Sequence, residues 1–123
     1  MTNVKVVDAS ALAALVFSEP DADAMAERME GAKLVAPSLL DYEVANVCLV
    51  KIRRDPGQRD ALRAAYGMVH RLGIETIAVD HAGVLELAEA TGLTSYDASY
   101  LWVARSLGAE LVTLDRKLAA AAT

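Results

Sequence analysis

The chain has 123 residues, a length that suits one domain able to bury about two-thirds of its surface without a disulfide or metal staple. Apolar residues make up 54% and aromatic residues only 5%, an aliphatic bias that suits helices packed closely on a sheet. The net charge of −5 argues against a general nucleic-acid coat, although it leaves room for a nucleic-acid enzyme with its acids gathered in one site, and the lone Cys48 excludes an internal disulfide.

In chain order, Val4 to Val7 reads as a short buried strand and Ala9 to Phe17 as a helix, which Glu19-Pro20-Asp21 breaks. That apolar run is too short to cross a bilayer, and Asp8 interrupts it as a signal peptide, so a cytoplasmic location is expected. A second helix fits Asp21 to Met29, followed by a strand at Leu34 to Ala36 that Pro37 stops. Ser38 can cap a long helix to about Arg54, with Cys48 as a small buried residue within it. The turn at Asp55 to Gly57 leads to a helix over about Gln58 to Leu72, and Ile74 to Val79 alternates like a strand. Asp80 can cap the next helix, which ends near Gly92. Ser95 or Asp97 starts another, ending at Gly108. Leu111 to Leu114 is the fourth strand, and Asp115 opens a C-terminal helix. Strands separated by helices imply parallel pairing through right-handed crossovers. The expected fold is α/β: one domain over residues 1–123, a three-layer α/β/α sandwich on a parallel sheet of about four strands.

The acids follow this plan. Asp8 and Asp115 each come directly after a strand, on the edge where open α/β sheets bind ligands. Asp97 starts the helix that feeds the fourth strand, and Glu43 lies in the first turns of the helix after the second, so both fall on that same edge. Asn46 shares a helix face with Glu43, whereas Asp41 points elsewhere. Helix capping explains Asp8, Asp97 or Asp115 taken singly, and Glu43 alone reads as a surface acid. Four carboxylates mapping to one edge call for more than capping. Two unit charges about 4 Å apart repel by about 4 kcal/mol at an effective dielectric of 20, so some acids must be protonated or share a cation. Oxygen ligands with no Cys or His set select Mg²⁺ or Mn²⁺ over zinc, and His70 and His81 have no ligand spacing.

Four segments, "VVDASAL", "APSLLDYEVANV", "TSYDASYLWVA" and "GAELVTLDRKL", in this order and at these separations, resemble a PIN domain, in particular a VapC-type toxin ribonuclease. The resemblance implies that Asp8, Glu43, Asp97 and Asp115 bind Mg²⁺ or Mn²⁺ and carry RNA phosphodiester hydrolysis, leaving a 5′-phosphate and a 3′-hydroxyl. Thr113, Ser10 and Asn46 would order the site from behind. An ordinary strand threonine, helix-start hydroxyl and helix amide are the plain alternatives for them. Thr113 is expected in the strand, on the same face as Asp115. No acid follows Asp115 in this sequence, so a second ion would take its remaining ligands from water and substrate phosphate. The resemblance further implies a homodimer and a VapB-type antitoxin partner, for which Leu12, Leu15, Val16 and Met25 could line an apolar groove if they are not core.

Lys51, Arg53, Arg54, Arg59, Arg63 and Arg71 form the densest basic stretch and could follow an RNA backbone, a solvated helix surface being the alternative. Few aromatics leave base stacking a small role. Rival readings are a PIN-like module that only binds partners, or a receiver or phosphatase domain. The phosphatase needs a second Asp where Ser10 stands, and the receiver needs a lysine where strand four ends in Asp115.

Overall fold

Strand β1 (Val4–Val7) ends on two valines with no solvent exposure, which places it at the centre of the molecule. The computed structural model describes residues 3–123. After β1 come α1 (Ala9–Val16), α2 (Ala22–Met29), β2 (Lys33–Ala36), α3 (Leu39–Arg54), α4 (Arg59–Gly67), β3 (Glu75–Thr76), α5 (His81–Thr91), α6 (Ser95–Leu107), β4 (Glu110–Val112) and α7 (Arg116–Ala122). The strands pair in the order β3-β2-β1-β4, and every pairing is parallel. Helix α1 packs on α2 and α3, while α6 packs on α5 and α7 and lies against β1 and β4. The result is the expected α/β/α arrangement. Aliphatic strands with both faces covered are what a parallel sheet requires.

The strand order positions the site. From β1 the chain builds outward through β2 to β3, then returns to the other side of β1 as β4. The direction of winding therefore reverses between β1 and β4, and their carboxyl ends mark the switch point, where open α/β sheets bind ligands. Asp8 and Asp115 follow those two strands.

Three elements differ from the sequence expectation. The third strand is two residues rather than Ile74 to Val79. Its partner β2 ends at Pro37, and after the Ile77 N–H reaches the Ala36 carbonyl at 2.9 Å the ladder stops. The fourth strand ends at Val112, before Thr113 and Leu114, because the Leu114 and Asp115 N–H groups turn onto side-chain hydroxyls. The helix expected over Gln58 to Leu72 gives way after Gly67 to a 3-10 turn, Met68–Leu72. In addition, Ser38 occupies the cap position of α3 but makes no side-chain cap bond, while α6 begins at Ser95 as expected, with Thr94 and not Asp97 as its side-chain cap. Cys48 is buried, as expected. No described helix is long and apolar enough to cross a membrane.

Candidate active site

Asp8 leaves β1 and caps α1, its Oδ1 accepting from the Ala11 N–H at 3.0 Å. The same oxygen accepts from the Ser10 hydroxyl at 2.7 Å, and Oδ2 accepts from the Thr113 hydroxyl. The two hydroxyls also accept in turn: Ser10 Oγ from the Leu114 N–H at 2.9 Å and Thr113 Oγ1 from the Asp115 N–H at 3.0 Å. Asp8 is therefore fixed through both oxygens, and the loop after β4 is stitched to the loop after β1. Asp8 and Thr113 are both buried, and Ser10 is half-buried. Thr113 reaches Asp8 from beyond the strand end, not as the strand residue the sequence suggested.

Asp115 caps α7, accepting from the Leu118 N–H at 2.9 Å, and is exposed. Asp97 sits in the first turn of α6, where its backbone N–H donates to Thr94 Oγ1 at 3.1 Å. Glu43 lies in the second turn of α3 and accepts a hydrogen bond from the hydroxyl of Tyr100. Asn46, one turn further along α3, is exposed.

The electrostatics tie these acids together. Burial pushes the Asp8 carboxyl above the ordinary carboxylate range. The Thr113, Ala11 and Ser10 donors pull it back, and the charge of Asp115 pushes it up again. Burial likewise raises Glu43, against the Tyr100 hydrogen bond, with Asp97 and Asp8 adding to the rise. Burial raises Asp97, and Asp115 and Asp8 raise it further, partly offset by Thr94 and Lys117. Each of the four carboxylates thus stands within the field of at least one other. They are not drawn into a closed cage: among the described residues no three of His, Cys, Asp and Glu are gathered tightly enough to hold an ion alone. An all-oxygen donor set of this openness fits a hard divalent ion that keeps several waters.

The basic stretch is elsewhere. Helix α3 runs away from the carboxyl edge of the sheet, and Arg53 lies ten residues beyond Glu43, about 15 Å along the axis. Arg54 and Arg59 are exposed near that far end, and Lys51 pairs with Glu19 at 3.7 Å. The structure does not bring Lys51, Arg53, Arg54 or Arg59 to the acids. Lys117, which draws Asp97 down and donates to the Gly92 carbonyl at 2.9 Å, is nearer. The sequence reading passed over both Lys117 and Tyr100. Tyr100 is three residues after Asp97, a helical spacing that offered the signal.

The expected apolar groove also divides. Leu12 and Met25 are core, with 0% and 4% exposure. Leu15 and Val16 are half-buried and line separate grooves, Leu15 beside Met29 and Leu72, Val16 beside Phe17 and Arg54.

The domain is thus a parallel α/β fold with carboxylates along the edge that holds its switch point, the place where open sheets of this kind bind ligands. Residues 5–123 match the family model of the PIN domain, and the chain belongs to that family. It is 36% identical over 120 residues to Ribonuclease VapC3 of Pyrobaculum aerophilum, covering 93% of this chain and 91% of that protein. It is also 36% identical over 121 residues to Ribonuclease VapC9 of Mycobacterium tuberculosis, covering 92% and 87%. The crystal structure of PAE2754 from Pyrobaculum aerophilum superposes with a TM-score of 0.80 at 33% identity, covering 98% of this chain and 86% of that one.

Proposed function

We propose that the chain is a Mg²⁺- or Mn²⁺-dependent endoribonuclease that acts as the toxin of a VapBC-type pair, with Asp8, Glu43, Asp97 and Asp115 as its metal-binding and catalytic residues. Two of its relatives are named as VapC ribonucleases, which supports RNA as the substrate and a VapB-type antitoxin as the partner. The observation that carries the reading is the mutual field of the four acids at the switch point. A divalent ion bound there supplies an activated water and neutralises charge at the scissile phosphate.

The chain's own residues supply the framework. Ser10 and Thr113 hold the Asp8 carboxylate in one orientation, and the Ala11 N–H fixes it to α1. Asp115 is held by the first turn of α7 and Asp97 by the first turn of α6, so each acid is set on a helix rather than on a free loop. In this reading Lys117, whose charge draws the Asp97 carboxyl down, is the cation that would meet an RNA phosphate beside the acids. No side-chain nucleophile is called for: both histidines are exposed, His70 against Tyr66 and His81 at the start of α5.

The test is expression of wild type beside Asp8→Asn, with sequencing of cleaved RNA 5′ ends. Internal cuts and growth arrest are expected from wild type and a loss of at least about 10³-fold from the variant, the effect of several kcal/mol of transition-state stabilisation. Equal cutting by Asp8→Asn overturns the assignment. A circular RNA, which only an endonuclease opens, separates internal cleavage from trimming of ends.

A further inference from the structure

Tyr100 is the largest fully buried side chain of the molecule, with 1% exposure, and its ring belongs to the core that includes Val103, Val112 and Leu118. A phenylalanine would fill nearly the same volume. Burying the phenolic oxygen costs free energy unless a partner compensates, and the partner here is a Glu43 carboxylate oxygen. The bond joins α3 to α6, and Tyr100 lies three residues along α6 from Asp97, on the same side of that helix. Glu43 has three side-chain torsions and is only half-buried, so without an anchor it samples many rotamers that take its carboxylate away from Asp8 and Asp97.

We infer that Tyr100 is a positioning residue of this site: its hydroxyl occupies Oε1 of Glu43, fixes the rotamer and leaves Oε2 as the oxygen presented to the divalent ion. One helix, α6, then sets the positions of two acids, Asp97 by its own side chain and Glu43 through Tyr100. The inference rests on the metal-site reading proposed above, and Glu43→Gln serves to separate the two.

Mn²⁺ binding is measured by titration calorimetry on wild type, Tyr100→Phe, Glu43→Gln and the double variant, together with thermal unfolding and steady-state cleavage. Tyr100→Phe is expected to weaken Mn²⁺ binding by about 10–100-fold, the usual effect of losing a group that orients a metal ligand. The KM for RNA stays near that of wild type while kcat falls. In the Glu43→Gln background the same change should add little, because the residue it acts through has lost its charge. Wild-type Mn²⁺ affinity in Tyr100→Phe, alongside a loss in Glu43→Gln, overturns the inference and spares the metal site. Full additivity of the two changes overturns it too, since Tyr100 would then act independently of Glu43. Wild-type affinity in Glu43→Gln removes the metal-site reading at this residue and the inference with it. If Tyr100→Phe does not fold, a crystal structure of the wild type with Mn²⁺ decides: the hydroxyl must remain on one Glu43 oxygen with the ion on the other, and a hydroxyl turned away from Glu43 refutes the role.

Discussion

At Asp8 a helix cap and a candidate metal ligand coincide in one carboxylate. Capping was the plain explanation of this residue, and the Ala11 hydrogen bond bears it out; Ser10 holds the same oxygen and Thr113 the other, which capping alone does not require. Thr113→Val keeps the shape and removes the hydroxyl. It leaves Asp8 Oδ2 and the Asp115 N–H without their partner, which should cost about 1–3 kcal/mol in urea unfolding and reduce activity by about 10–100-fold. The raised carboxyls make a further prediction with a definite sign. Ordinary values are 3.8 for Asp and 4.5 for Glu, and in the fold Asp8, Glu43 and Asp97 all stand above them. Between the ordinary and the raised values the native state holds protons that the unfolded chain has released, so stability falls as pH rises through that window. Without divalent ions, the melting temperature should therefore drop as pH rises above the ordinary carboxylate values. Asp8→Asn should flatten the drop, and added Mg²⁺ should reverse it. A wild-type melting temperature that climbs steadily there would contradict the burial of these carboxyls in the fold.

At the scale of elements, the short β4 and α7 matter most to the site. Strand β4 stops where two backbone N–H groups are taken by Ser10 and Thr113, and Asp115 follows this early stop with its charge acting on Asp8. Helix α7 is held by Leu118, which has no exposure and is its one buried residue, while the Asp115 carboxylate caps the helix through the Leu118 N–H. Leu118→Ala should cost about 2–5 kcal/mol and loosen Asp115 in the same step, so that, on the proposed metal site, Mn²⁺ affinity falls further than in a core variant of equal stability loss remote from the acids. Denaturant unfolding beside metal titration checks both effects. Helices α5 and α6 meet closely at Gly83, where a Cβ would lie 2.8 Å from the Trp102 indole nitrogen, so the middle of α6 is set against the start of α5.

Across the whole molecule, the four candidate acids and the basic stretch of α3 lie apart. The acids lie at the carboxyl edge of the sheet, and the cations of α3 lie at the far end of that helix. Beside the acid edge lies an apolar patch. Tyr42, Leu85 and Tyr96 are 78%, 66% and 62% exposed and line one groove. An exposed patch of this kind marks an interaction surface. If the homodimer that the resemblance implies forms through this patch, Leu85→Glu should shift sedimentation towards the monomer without changing the fold. An unchanged sedimentation coefficient would place any dimer on another face.

The periodicity of the sequence determined the order of strands and helices, their parallel pairing and the edge on which four acids fall, because each of these follows from local apolar pattern and crossover handedness. The placement of Asp8, Glu43, Asp97 and Asp115 on that edge was legible for that reason: Asp8 and Asp115 each come after a strand, and Glu43 and Asp97 lie in the first two turns of helices that start there. Strand length was not, since β3 and β4 end where Pro37 and two side-chain hydroxyls interrupt their ladders, and such partners are known only once distant segments meet. The link from Tyr100 to Glu43, the distance of the basic stretch and the burial of Leu12 and Met25 were decided by tertiary packing alone. They depend on which helix faces which, and residues far apart in the chain acquire that relation only when the sheet brings their elements together.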